Sequence, residues 1–395
     1  MSNETDQISS SIQRLRTYIE SENFLGYDPY DALNSFIFHV FPFNQKYLRL
    51  IGTQLIKKSP INLRPFLNIQ KGFNPKGLGL LLMGYIRLYS IDKDPILKQK
   101  IKFLTGKVIE FQSHGFSGLC WGYNFPWQNR YYLFPKYTPT IVNTSFIGHS
   151  FLDAYEAFGE KRYLDYANSA CQFILNDLNI VSESQSELCL SYTPMDHMRV
   201  YNSNALGASL LARVGFLKND DSYRTVAQKM ANYVCSAQNP DGSWFYGENS
   251  TQKWIDIHHT GFVLESLLCI LKLSRDQMLH SRLAKGYEYF IKHFILSEGR
   301  VRSWHNRAYP IDIHAIEAVI ALCKGSSFYQ NDPLLHHIVL WFIRNFQDSK
   351  GYFYFQKFKN FTNKISYMRW SQSWVFHALT TYYAYSRREI NGAFE

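Results

Sequence analysis

The tetrapeptide Ile-Asp-Ile-His occurs twice, at Ile255–His258 and at Ile311–His314, 56 residues apart. Each copy follows a glycine- and aromatic-bearing stretch and opens an apolar run, TGFVLESLL after the first and AIEAVIALC after the second. The same register recurs upstream at YNSNALGAS (201–209) and VNTSFIGHS (142–150), and downstream at MRWSQSWVFHAL (368–379). GLGLLLMGYIRLYS (77–90) occupies the slot one period earlier, and DALNSFIFHV (31–40) is a possible further copy. The chain therefore reads as five or six units of about 56–66 residues, and a fixed period of this kind is the mark of a repeat architecture.

Each unit has one grammar. A loop rich in glycine and aromatics precedes a helix that is apolar nearly all round, such as 260–273, which has to be buried on every side. A short polar turn leads to an amphipathic helix. Tyr223, Val226, Ala227, Met230, Ala231 and Val234 mark one such helix by their i, i+3, i+4, i+7 spacing. Buried helices alternating with half-exposed ones describe helical hairpins in two layers. Closing six of them into a ring leaves no end uncapped. The expectation is an all-α (α/α)6 toroid, with short strand pairs in loops such as GSWFYG and GYFYFQKF. It spans residues 1–395 as a single domain, with 1–20 as a peripheral helix. Inner helices are expected to start near 78, 144, 203, 260, 315 and 372, with one further start near 35 if the count shifts. An open solenoid is the alternative, although its periods are usually shorter.

In such a ring the residues before each inner helix gather at one end of the barrel, where helix N-termini present free N–H groups. Slot by slot, the His258 position holds Asn143, Asn202, His258, His314 and Ser371. Two residues earlier stand Ile141, Val200, Asp256, Asp312 and Arg369. Asn143, Asn202 and Ser371 fit as N-caps, but capping does not account for two Asp-x-His pairs. The loops supply Trp121, Tyr123, Tyr201, Trp244, Tyr246, His259, Trp304 and Trp370, whose rings suit sugar faces but can equally pack between hairpins. Arg307 and Arg369 are suited to hold a carboxylate or phosphate of a substrate, or to pair with an Asp of the protein. Glu317 is a reserve acid.

The formal net charge of +10 favours an anionic partner. The basic residues form no tail and accompany no nucleic-acid motif, so nucleic acid is not expected. Six cysteines form no CxxC pair, and several lie in apolar helical text, so neither a metal site nor disulfides are expected. No phosphate-binding loop or dinucleotide fingerprint is present, so no cofactor is implied. The N-terminus lacks a signal-peptide core, and GLGLLLMGYI (77–86) is too short to span a bilayer. The chain reads as cytoplasmic, without a transmembrane segment.

QNPDGSW (238–244) fits the Q-x-x-x-G-x-W signature and so resembles terpene cyclases and related toroids, a likeness of fold. Neither D-x-D-D nor D-D-x-x-D occurs, which speaks against isoprenoid chemistry. Lanthionine cyclases share the toroid, but their Cys, Cys, His zinc set has only Cys120 as an echo here. The chain more closely resembles six-hairpin carbohydrate enzymes: glycosidases, unsaturated uronyl hydrolases and the N-acylglucosamine 2-epimerase group. GYDPYDALNS (26–35), DGSWFYG with WIDIHHTGFVLESL, and NKISYMRWSQSWVFHAL resemble a largely uncharacterised family from surface-polysaccharide gene clusters. That resemblance covers most of the chain and implies a carbohydrate substrate, an oligo- or polysaccharide, without fixing a reaction; the net charge of +10 points to an acidic one.

Two chemistries fit the Asp-x-His pairs, with hydrolysis slightly preferred. Asp256 and Asp312 on neighbouring helices can flank a glycosidic bond as the acid and base of an inverting hydrolase. Alternatively His258 and His314 face each other across a sugar and move a proton at carbon, giving epimerisation or elimination. A non-catalytic glycan binder is the third reading.

Overall fold

The computed structural model describes residues 2–391 except Gln330. Helix α1 (Ser2–Ser21) and, after two 3-10 turns at Asp31–Asn34 and Phe36–His39, helix α2 (Lys46–Lys58) precede the repeats. Five antiparallel pairs follow: α3 (Pro75–Asp92) with α4 (Pro95–Glu110), α5 (Ile141–Phe158) with α6 (Lys161–Asn176), α7 (Tyr201–Lys218) with α8 (Asp221–Ser236), α9 (Ile257–Ser274) with α10 (Gln277–Phe294), and α11 (Glu317–Lys324) with α12 (Asp332–Phe346). Helix α13 (Trp374–Asn391) completes the set. The inner helices touch in succession, α3 to α5, α7, α9, α11 and α13, and α13 returns to α3. The ring is closed, as the repeat register predicts, and its inner helices begin within three residues of the expected starts. The extra inner helix near 35 does not form, because that segment is the pair of 3-10 turns.

The local chemistry of the hairpins is repetitive too. Helices α3, α5, α7 and α9 each end in one left-handed residue, Lys93, Gly159, Asn219 and Arg275. The next residue, Asp94, Glu160, Asp220 or Asp276, sits at the N-cap of the outer helix, and the three aspartates accept from its first-turn N–H groups. A two-residue turn of this kind forces the helices antiparallel. Inner helices also pack closely: a methyl group on Gly79 of α3 would lie 2.8 Å from Ile147 of α5.

Gln238 in QNPDGSW donates to the carbonyls of Gly242 (3.0 Å) and, on α10, of Arg282 (2.9 Å). Gln347 in QDSKGYF does the same to Gly351 and, on α1, to Ser11, both at 3.0 Å. Gly242 and Gly351 both take positive φ, 92° and 99°, against the next outer helix. Helix α1 thus stands where α10 stands in its own repeat. It packs on α12 and α13 as an outer-layer helix. Strands are confined to loops: β1 (Trp127–Gln128) with β2 (Leu133–Phe134), β3 (Ile180–Glu183) with β4 (Leu188–Leu190), and β5 (Ile311–Asp312), β6 (Gln356–Lys357) and β7 (Thr362–Asn363) in one small sheet. GYFYFQKF contributes β6, whereas GSWFYG forms no named strand.

Candidate functional site

The N-terminal ends of the inner helices converge, and the two Asp-x-His pairs meet there. Asp256 is the N-cap of α9 and Asp312 caps the 3-10 turn Ile313–Ile316 that leads into α11. Capping is therefore the local role of the aspartates, while Asn143 and Asn202 lie inside their helices and Thr140 caps α5. Counted from each cap, the second helical position holds Lys76, Val142, Asn202, His258 and His314.

The Asp256 carboxylate accepts from the His259 N–H (2.9 Å), His259 Nδ1 (2.7 Å) and Trp254 Nε1 (3.1 Å), and His258 Nδ1 lies 3.0 Å away. Burial alone would raise its pKa, but the two imidazoles and the donated hydrogen bonds hold it below the usual carboxylate range. Asp312 accepts from the His314 N–H (3.0 Å), Trp370 Nε1 (2.8 Å) and Gln356 Nε2 (2.7 Å). Burial nevertheless leaves Asp312 raised.

The rings of His258 and His314 are stacked, with centroids 4.8 Å apart and planes 13° from parallel. They do not flank a space the width of a sugar, so the expectation that they face each other across one is corrected. Burial pushes His258 down to about 3 and His314 well below the ordinary value, so both are neutral at pH 7. His314 is 2% exposed, and neither ring nitrogen has a partner among the described residues. Trp370 and Trp374 hold it edge-on, at 4.1 and 4.7 Å. Asn143 leaves both polar side-chain atoms unpartnered, and Asn202 Oδ1, Ser371 Oγ and Trp374 Nε1 are also unpartnered and buried. Such groups cost about 1–3 kcal/mol each when nothing meets them.

Alternate inner helices supply the floor. Phe146 of α5, Phe262 of α9 and Trp374 of α13 meet with centroids 5.2–5.3 Å apart. The Lys76 ammonium lies over all three, 4.4 Å from Phe146. Burial pushes its pKa well down, with Arg369 acting in the same direction. Tyr246 stacks on Trp254 (4.4 Å) and meets His259 (4.6 Å) at one wall. Opposite, Arg369 lies over Tyr123 and Trp370, 5.0 Å from each ring, while Tyr30 packs on Trp370 at 5.3 Å and Lys57 reaches the Tyr30 hydroxyl.

Other expected residues lie elsewhere. Trp121 and Trp244 are buried between layers, where their indoles donate to Val108 of α4 (2.7 Å) and Val234 of α8 (2.8 Å), so they do not line the cleft. Tyr201 packs on Tyr233 of α8, towards the outer layer. Arg307 is exposed and covers the ring of Trp304 at 4.3 Å, and Trp304 bridges the backbone of Asp256. Arg369 is bound by Asp28 at 2.5 and 2.7 Å. Glu317 is fully buried, and burial with Glu265 beside it raises its carboxyl well above the ordinary range. The repeat register missed Asp28, Tyr30 and Lys57, which lie in the non-repeating segment, and Lys76, which the N-cap register would have found.

Asp256, His258 and His259 place one potential metal-binding atom each within 4.8 Å of one another. Three N–H groups donate to Asp256 and His258 Nδ1 lies 3.0 Å from it, so contacts within the protein account for the cluster.

Towards the other end of the barrel, His149 meets Ser209 (2.9 Å) and Arg213 (3.0 Å), and Arg213 also binds Asp153 (3.1 Å) and Glu156 (2.7 Å). Burial, aided by Arg213, holds His149 at about 3 against 6.5 when unperturbed. The unfolded chain takes up this proton first, so the stability held by neutral His149 is complete above pH 6.5 and falls as pH drops towards 3. Asp31, raised by burial to about 6, and Glu317 run the other way, so the parent's own slope is a mixture. The difference between parent and His149→Gln isolates one group. Urea denaturation should show the parent losing about 1–2 kcal/mol more than the variant between pH 7 and pH 5, allowing for partial exposure. Equal slopes would place the His149 proton on the folded chain already.

The sequence matches no protein-family model and no curated protein. Solved structures are similar in fold. One is an unsaturated glucuronyl hydrolase specific for heparin, with TM-score 0.63 and 12% identity over 99% of this chain and 98% of that one. Another is a GH76 α-mannanase from Bacteroides thetaiotaomicron, with TM-score 0.62 and 15% identity over 82% and 90%. A third is the cellobiose 2-epimerase of Bacillus thermoamylovorans, with TM-score 0.61 and 12% identity over 81% and 90%. At these identities the likeness is one of fold: the chain is an (α/α)6 toroid.

Proposed function

We propose that the protein is a carbohydrate-active enzyme that moves a proton at a sugar carbon beside a carbonyl or carboxylate, with His314 as base and His258 as its partner. The observation that carries this reading is His314 itself, a neutral, buried imidazole with two unpartnered nitrogens stacked on a second neutral imidazole. Asp256 engages His258 through Nδ1, which leaves Nε2 as the basic lone pair. The carboxylate is a positioning group in this scheme. Because the rings stack, a substrate carbon meets both from one side. That geometry suits elimination or a same-face proton shift better than exchange between opposite faces. The electron pair left by the proton passes to the carbonyl or carboxylate oxygen, and the Lys76 amine lies beside the cluster as a hydrogen-bond donor. Sugar-acting neighbours of the same fold and the aromatic rings around the imidazoles support a carbohydrate substrate, and the formal net charge of +10 supports an acidic one.

Hydrolysis keeps one observation in its favour: Asp312 is raised and Asp256 lowered, as an acid and a base would be. Against it, all three hydrogen bonds at Asp312 are donated to the carboxyl, which favours the ionised form. Incubating uronic-acid glycans with the protein in heavy water and reading the products by mass spectrometry separates the readings. Proton transfer puts deuterium into substrate or gives an unsaturated product. New saturated reducing ends without isotope uptake at carbon would overturn it in favour of Asp256 and Asp312. Tight binding with neither change would indicate a glycan binder.

A further inference from the structure

Eighteen large apolar side chains stand out into solvent among the described residues, and nine of them fall between positions 36 and 66. Helix α2 shows why. Its inward side buries Ile56 against Ala32, Leu33 and Phe38. Tyr47, Ile51 and Leu55, spaced four apart, form a second stripe that faces water, with Tyr47 73% and Leu55 66% exposed. Phe41 before the helix and Phe66 after it project likewise, Phe66 at 83%. A monomer in water gains nothing from this display, and contiguous apolar surface of this kind marks a docking face.

The patch continues onto its neighbours. Arg49 donates to Gln128 at 2.7 Å, which joins α2 to the β1–β2 hairpin and its exposed Tyr131 and Leu133. Asn363 donates to the Ser59 carbonyl at 3.0 Å, which brings the β6–β7 hairpin and exposed Phe361 alongside.

Charge identifies the occupant. Residues 32–63 contain four Lys or Arg residues, Lys46, Arg49, Lys57 and Lys58, and no Asp or Glu. Lys46 and Lys58 are exposed at the two ends of α2. A second copy of this chain would be a poor occupant, because a two-fold contact sets a patch against itself and would press cation on cation. A helix with an outward apolar stripe, flanking lysines and projecting aromatics has the properties of an element that lies in a membrane interface. No helix among the described residues is long and apolar enough to cross a membrane, so the contact would be peripheral.

We propose that the face built on residues 36–66 docks on the anionic surface of a phospholipid bilayer. Helix α2 adjoins the candidate site, because Lys57 reaches Tyr30 and lies 5.8 Å from the Trp370 ring. Resting on the reading of the cleft as a glycan site, docking would present it to glycans held at a membrane. The docking itself does not depend on the reaction.

Flotation of the full chain with vesicles tests it. The protein should float with phosphatidylcholine–phosphatidylglycerol vesicles, far less with phosphatidylcholine alone, and less as salt rises. Lys46→Ala and Lys58→Ala should each weaken binding by about fivefold. The double variant Ile51→Asp, Leu55→Asp should abolish it with an unchanged melting curve, since both side chains are exposed. Its turnover of a soluble glycan should also be unchanged, which separates failure here from failure of the proposed reaction. Absence of flotation on the anionic vesicles, or flotation of the double aspartate variant like the parent, overturns the proposal. So does sedimentation that shows a parent dimer, a monomeric double variant and no vesicle binding.

Discussion

His314→Gln should lower the rate of deuterium uptake by roughly 10²–10⁴-fold, the range that a positioned general base contributes. The melting temperature should stay level or rise. No hydrogen bond to the ring is lost, because neither nitrogen has one among the described residues, and the stack on His258 and the edges of Trp370 and Trp374 tolerate a flat amide. Full activity with a lower melting temperature would instead mark His314 as packing. His258→Gln should cost a similar factor, and the two losses should not add, since a pair that works as a unit fails when either member is removed. Asp256→Asn is the informative control. It keeps an oxygen for the His259 N–H and therefore the cap, but it can no longer accept from every donor now on the carboxylate. Activity should fall and its pH profile should shift while the fold persists, as expected of a group that acts through the imidazole.

The toroid was legible because its physics repeats. Each inner helix needs apolar residues all round and each outer helix needs one wet face, so the period appears in hydrophobicity alone, and Ile257 and Ile313 open equivalent turns. The convergence of His258 and His314 follows from the same register. What the period does not encode is direction. Trp121 and Trp244 sit in cleft-side loops by sequence, but each loop turns back, and each indole finds the carbonyl of an outer helix. Lys76 escaped notice because a lysine after Asn-Pro looks like a solvated first turn. Only the closed ring shows that it stands over three aromatic rings from alternate helices. Asp28, Tyr30 and Lys57 belong to the stretch between α1 and α3, which has no copy elsewhere. Their partners Arg369 and Trp370 lie at the far end of the chain and became neighbours only when α13 met α3.

That closure supplies the second large expected effect. Arg369→Met should destabilise the protein by about 3–5 kcal/mol, the cost of leaving one member of a buried ion pair alone. Asp28 accepts two guanidinium N–H groups from Arg369, at 2.5 and 2.7 Å, in a bidentate pair that is almost completely buried. A second buried pair, Arg64 with Asp31 at 2.6 Å, is wired to the first through the Asp28 carbonyl, and Arg64 also donates to the Tyr367 hydroxyl. The four residues fasten the non-repeating segment to the π-helical turn Met368–Ser373 at the entry to α13. Removing the guanidinium leaves the Asp28 carboxylate in a low-dielectric site where, among the described residues, the Tyr30 N–H at 3.0 Å is what remains to meet it. Asp28→Leu in the Arg369→Met background should recover much of the loss, because a buried pair replaced by apolar groups of similar volume is often neutral. The double-mutant cycle, read by urea denaturation, then gives a coupling of several kcal/mol. A single-variant cost below about 1 kcal/mol would mean that water reaches Asp28 and that the pair behaves as a surface one. Hydrogen exchange locates the damage: in Arg369→Met the amides of 31–39 and of α2 should exchange faster, while those of α5 and α7 keep the parent's protection. Because Tyr30 and Lys57 ride on that segment, a loosened α2 would also lower both substrate affinity and vesicle binding, with the imidazole pair left in place.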